Sequence, residues 1–386
     1  MKTISGSWSA DTGWSPPPAE FADGSVDGGI RTLVMFFSEV SPEASATAVA
    51  DLAAALPQAA ILGCSSAGII LGDGLCPDGI TAVAMHFDSV TPRVAMADVA
   101  DFPSSREVGN AIGDTLTAQL EPGQPGTVFV LADGLVVNGT ALVAGLSERL
   151  PAGVGISGGL AGDGDRFERT WVYSDGQVRV GAVVAVGLVS QRLTASYGSA
   201  GGWEGFGPYR LVTDSVDNVL QTLDGRPALT LYKEYLGDRA EQLPASALFF
   251  PLLIRSPDAT IELVRTVLAV DDDRATLTFA GDIPEGWTAR LMRASLDRLV
   301  DAAGVAAEEA GRDRAYPDVV IAVSCVGRRL VLGQRTDEEV EAAVEVLGTH
   351  TPIIGFYSYG EISPTNGTSE LHNQTMTLTT LTESAG

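Results

Sequence analysis

The stretch Ala60-Ile61-Leu62-Gly63-Cys64-Ser65-Ser66-Ala67-Gly68-Ile69-Ile70 decides how this chain is read. It begins as an apolar strand and ends in small and polar residues, and it follows a strand at Thr32 to Ser38 and a helix at Ala44 to Leu56. That order recurs twice. Thr127 to Ala132, the helix Thr140 to Leu150 and Gly153 to Gly162 (GVGISGGLAG) form the second copy. Asp318 to Ser324, the helix Asp337 to Leu347 and Pro352 to Glu361 (PIIGFYSYGE) form the third.

Each glycine-rich segment is followed by strands with no intervening helix: Gly79 to Phe87, then Glu168 to Tyr173 with Val178 to Val189, then Gln374 to Leu381. Such strands join a sheet as antiparallel neighbours, whereas the strand–helix–strand copies call for parallel pairs. Copies two and three are each preceded by a further strand and helix, Arg93 to Ala97 with Ser105 to Leu120, and Ala275 to Phe279 with Thr288 to Gly311. The expectation is an α/β protein of mixed sheets covered by helices, with two related halves and internal strand–helix–strand repeats. Ser196 to Gly237 is rich in Gly, Trp and Tyr without a clean period, and is expected to pack over the junction of the halves. The boundary is placed near Ser190 to Tyr197, dividing residues 31–195 from 196–386. Residues 1–30, rich in Pro and Gly, form an extended or loop extension that Trp8 and Trp14 can anchor.

At 386 residues with 45% hydrophobic and 19% charged residues, the chain can bury a sizeable core and lies far from disordered compositions. Its formal net charge of −25 repels phosphate backbones and anionic lipid, so neither nucleic acid nor membrane is expected as a partner. Cys64, Cys76 and Cys325, an odd number in a long chain, fit free thiols in a reducing compartment. The N-terminus is too polar for a signal-peptide core. The longest apolar stretches, Gly181 to Val189 and Ala247 to Ile254, fall short of the roughly 20 residues of a membrane span. A cytoplasmic location is expected.

Gly155-Ile156-Ser157-Gly158-Gly159 matches a serine nucleophile elbow, and Gly153, Gly155 and Gly158 match a dinucleotide fingerprint. Both motifs need a strand entering and a helix leaving; here a helix enters and a strand follows. The glycines therefore serve close backbone approach. His86, His350 and His372 have no metal-ligand spacing, although a lone His can ligate non-covalent haem. Cys64 and Cys325 each end an apolar strand, the second beside Arg328. Two readings stand for them: an activated thiol, or a small buried hydrophobe. Tyr357, Tyr359 and Glu361, on a strand alternating aromatic and small residues, read either as ligand-pocket chemistry or as filling between sheet and helix.

The residues ILGCSSAGI at 61–69, GISGGLAGD at 155–163, GWEGFGPYRLVT at 202–213, LDGRPALTLYKEYLG at 223–237, SCVGRR at 324–329, and GFYSYGEI at 355–362 with LHNQT at 371–375 carry a resemblance. In that order, they resemble the FIST (F-box and intracellular signal transduction) family, with FIST N and FIST C domains. Ile69 stands where the family pattern often has an acid. The resemblance implies a sensory module that binds small molecules such as amino acids and signals to a kinase, cyclase or chemoreceptor. With both halves accounting for the chain, that output is expected from a separate partner.

The expected pocket lies between the halves. Arg328 would take a carboxylate, Glu361 and Asp163 an ammonium, and Tyr357 and Tyr359 the apolar remainder. Cys64, Ser65, Ser66, Gly158, Gly159, Ser324, Cys325 and Asn373 complete the lining. No catalytic residue, metal or resident cofactor is expected. The alternatives are a haem-based nitric oxide sensor, which the family implies for some members, and a thiol-dependent enzyme using Cys64 or Cys325.

Overall fold

In the computed structural model, residues 1–22, 30–120, 124, 126–312, 316–365 and 367–384 are described. Among these described residues, three of the four sheets have the same strand order. In the first, Thr32–Ser38 pairs in parallel with Ala60–Ser65 across the helix Pro42–Ala55. On its other side it meets Ile80–His86 in antiparallel fashion, and that strand meets Lys2–Ser9. The second sheet repeats this with Gly126–Ala132, the helix Gly139–Arg149, Gly155–Leu160, Ala182–Val189 and Arg93–Asp98. The third uses Val319–Cys325, the helices Val326–Leu332 and Thr336–Leu347, Ile353–Ser358, Met376–Glu383 and Leu193–Ala200. Ser41 and Asn138 start the crossover helices of the first two units by accepting the amide protons of Ala44 and Ala141.

The units interlock. After each glycine-rich strand the chain crosses to another sheet and adds a strand there. Ile69–Leu71 joins Ile353–Ser358, Val172–Ser174 joins Ala60–Ser65, and Gly360–Thr365 joins Gly155–Leu160. Unit one thus extends sheet three, unit three sheet two, and unit two sheet one, which closes a ring. Phe37 and Phe356 stack with centroids 4.5 Å apart across the junction of the first and third sheets.

The fourth sheet belongs to a domain inserted between Leu193–Ala200 and the helix Leu296–Ala310 of the third unit. It runs through residues 204–293 and has its own core around Leu220, Tyr232, Ile254 and Phe279. Here the structure corrects the sequence reading. Ser196 to Gly237 is not a cover over the junction: its start belongs to Leu193–Ala200, the edge strand of the third sheet, and its remainder enters the inserted domain. Turns at Asp217, Asp224 and Gly225, all at positive φ, break it into strands too short to show a period. Thr288 to Gly311 is not one helix. Thr288–Arg293 is a strand with Ala289 and Leu291 buried in alternation, and the helix starts at Leu296.

Glu168 to Tyr173 shrinks to Val172–Ser174, because the amides of Glu168 and Arg169 donate to Asp163 instead of a sheet. The N-terminal segment is extended, as Lys2–Ser9 and Gly13–Ser15, and Trp14 anchors it by donating to the Ala48 carbonyl at 2.8 Å. Residues 23–29 of that segment lie outside the described residues. Among the described residues no helix is long and apolar enough to cross a membrane.

The parallel pair of the second unit depends on Gly158. Its φ is +137°, and a Cβ there would lie 1.9 Å from the Val130 carbonyl oxygen. Gly153, at φ +87°, faces open space. Gly158→Ala should therefore cost about 3 kcal/mol in chemical unfolding, and Gly153→Ala only about 1 kcal/mol, since one adds a backbone clash to the strained φ and the other does not.

Candidate functional site

Parallel register aligns the strand ends: Ser38 with Ser65, Ala132 with Leu160, and Cys325 with Ser358. Because the chain changes sheets just beyond these points, the three ends meet. Ala67 donates to the Tyr357 carbonyl at 2.9 Å, Tyr359 to that of Leu160 at 3.0 Å, and Gly162 to that of Ser65 at 3.3 Å. Gly159 permits the same closeness, since a Cβ there would lie 2.8 Å from Val323.

The groups expected to line a hollow are mostly bonded to one another. Arg328 is fully buried; its Nε donates to Glu339 at 2.8 Å, Nη1 to the Gly201 carbonyl at 2.5 Å and Nη2 to that of Leu299 at 2.7 Å. Glu339 also accepts from Ser324 Oγ at 3.1 Å and from the Tyr357 hydroxyl at 2.6 Å. A guanidinium engaged in this way has no nitrogen directed at solvent. Glu361 is likewise buried and accepts from Ser358 Oγ at 2.6 Å and from the amide and hydroxyl of Thr375 at 3.1 and 3.0 Å. Burial nevertheless pushes its carboxyl up to about 8. Asn373 accepts from the Thr266 amide and donates to the Tyr359 carbonyl, both at 3.4 Å.

Asp163 organises the loop that follows the second glycine-rich strand. It accepts from the amides of Phe167, Glu168 and Arg169 at 3.0, 2.9 and 2.8 Å and from the Tyr359 hydroxyl, whose ring stacks on Phe167 at 4.7 Å. Burial alone would raise this carboxyl; the amides, the hydroxyl and Arg166 outweigh it and hold the group below its usual range. Cys64 and Cys325 are buried, and burial drives both thiols well up, so neither is a ready nucleophile. Ser157 is buried inside its strand rather than set at a turn. Both ring nitrogens of His86 have partners, Thr32 Oγ1 at 2.9 Å and the Phe21 carbonyl at 2.8 Å. His372 is half-buried, and desolvation together with the nearby Arg265 pushes it down to about 4, while His350 is exposed.

What opens to solvent at the meeting point is a polar cleft of two adjoining recesses, about 170 and 280 Å³, that share Glu39, Ser66 and Arg166. Ser65, Ser66 and Asp163 are the sequence-predicted residues that line it. Arg329 faces it and donates to Glu39 at 2.9 Å and to the Ala67 carbonyl, with its guanidinium 5.7 Å from the Tyr357 ring centre. Helical rotation separates the two arginines, turning Arg328 inward and Arg329 outward. Sequence reasoning missed Glu39, Arg166 and Arg329. The signals were present, since Glu39 directly follows a strand end and Arg329 completes SCVGRR. A larger recess of about 760 Å³ lies between Leu193–Tyr197 and the 150–155 loop, but it holds none of the strand-end groups and no charged side chain.

The folded chain holds the Glu361 proton more tightly than the unfolded chain does. The stability tied to it is therefore complete below about 4.5 and is lost as the pH rises through about 8. Glu361→Gln keeps the shape without the ionisation. Its Tm relative to the parent should rise between about pH 5 and about pH 9, as thermal denaturation at the two values would measure.

No curated protein matches the chain. Among solved structures, a cyanuric acid hydrolase from A. caulinodans aligns over 100% of this chain and 99% of its own, at 10% identity and a TM-score of 0.34, a likeness that bears on neither fold nor activity. The FIST N domain pattern matches residues 32–226 and the FIST C domain pattern residues 228–364. With those two matches spanning most of its length, the chain belongs to the FIST family of sensory and signalling domains.

Proposed function

We propose that this protein is a cytoplasmic sensor that binds a small, amino-acid-like metabolite in the cleft framed by Glu39, Ser66, Asp163, Arg166 and Arg329. The output passes to a separate signalling partner of the kinase, cyclase or chemoreceptor kind. One observation carries the reading: Glu39 of the first unit and Arg329 of the third form an ion pair where the three units meet. Their side chains retain 18% and 31% exposure, so the pair is screened by water and worth only about 0–1 kcal/mol. A zwitterion can replace it at little cost, its ammonium taken by Glu39 and its carboxylate by Arg329 in bidentate fashion. Ser66 and the Arg166 and Arg169 side chains supply further polar contacts at the rim.

A ligand that binds only the native state at one hundred times its Kd stabilises it by about 2.7 kcal/mol. A thermal-shift screen of the proteinogenic amino acids and simple dipeptides should find at least one that raises Tm in a saturable way. Arg329→Ala and Glu39→Gln should each abolish that shift. A flat response of the parent protein across the whole panel would overturn the assignment.

A further inference from the structure

We infer that the short helix Val326–Leu332 couples the cleft to the inserted domain, with Arg328 as the positioning residue that fastens that domain's two attachment points. This rests on the reading of the cleft as a ligand site. Three consecutive residues of the helix face three different parts of the molecule. Arg329 meets Glu39 at the cleft mouth. Arg328 donates to Gly201, just before the inserted domain begins, and to Leu299, just after it ends. Gly327 lies against the Gln374 side chain so closely that a Cβ would come within 2.4 Å of its Nε2.

Gln374 in turn holds the inserted domain. Its Nε2 donates to the Leu248 carbonyl at 3.2 Å and to Thr266 Oγ1 at 3.0 Å, and its own carbonyl accepts from Trp203 Nε1 at 3.0 Å. The residue is held at φ +64°, an unusual conformation for a non-glycine residue. Its buried Oε1 has no hydrogen-bond partner, so this contact is not relaxed.

A helix of seven residues moves as one piece. A shift of this helix that follows Arg329 toward a ligand carries Arg328 and Gly327 with it, and the Arg328 guanidinium is buried with Glu339. Losing one of its carbonyl partners would leave a charged group under-satisfied in the interior, so the segments at Gly201 and Leu299 follow it. Replacement of the Glu39 contact is thereby converted into a change in how residues 204–293 are held.

Hydrogen exchange with mass spectrometry on the full chain tests this without any ligand. Glu39→Gln, a change on the first unit remote from the inserted domain, should speed exchange at least about threefold in peptides covering 201–204 and 293–299. The core strands Thr32–Ser38 and Val319–Cys325 should stay protected. Arg328→Lys should loosen the same attachment segments. Arg166→Ala, which alters the cleft without touching the helix, should leave them unchanged. Faster exchange confined to 65–69 and 163–169 in Glu39→Gln overturns the coupling, as does equal loosening in Arg166→Ala. Because these readouts need no ligand, a flat thermal-shift screen would remove the amino-acid reading while leaving the coupling to stand or fall separately.

Discussion

The ring of exchanged strands is the constraint on which the rest depends. Each glycine-rich strand is paired on one side by its own unit and on the other by a strand borrowed from another unit. An unpaired edge presents a row of unsatisfied amides and carbonyls, so no unit is complete before the others have folded. The same exchange brings three polar strand ends to one place. Along the second glycine-rich strand the space is too tight for side chains: a Cβ at Gly158 would meet the Val130 carbonyl of its own unit, and one at Gly159 the Val323 side chain of the third.

Bringing polar ends together inside a protein makes each unpartnered donor or acceptor costly. The third unit pairs Arg328, Glu339, Tyr357 and Ser324 with one another, and the junction of the second and third pairs Asp163 with Tyr359. A buried ion pair of this kind is weak evidence for net stability, because desolvation offsets the attraction. Its value here is geometric. Removing either partner leaves a charge stranded in the interior, so the Arg328–Glu339 pair ties the helix Val326–Leu332 to the helix Thr336–Leu347.

Only the outermost groups of the meeting point remain open, and they come from all three units: Glu39 and Ser66 from the first, Asp163 and Arg166 from the second, Arg329 from the third. Under the proposed reading, a small molecule bridging these groups would bias how the three units sit against one another.

The three-fold recurrence and the mixed sheets were legible in the chain itself, because strand and helix periods and glycine-marked strand ends are local properties, and the family was legible as a resemblance of particular segments. Of the residues that the strand ends singled out, Ser65, Ser66 and Asp163 line the cleft. What tertiary structure alone decided was the direction of each polar side chain. Arg328 and Arg329 are adjacent and chemically alike, yet one neutralises Glu339 in the interior and the other meets Glu39 at the surface. That choice depends on which carbonyls the inserted domain's attachment points bring near, and Gly201 and Leu299 lie 98 residues apart in the chain yet beside one guanidinium in space. The inserted domain was hidden for a related reason. Its short strands are set by cross-strand partners and turn conformations, which leave little periodic trace in the order of amino acids.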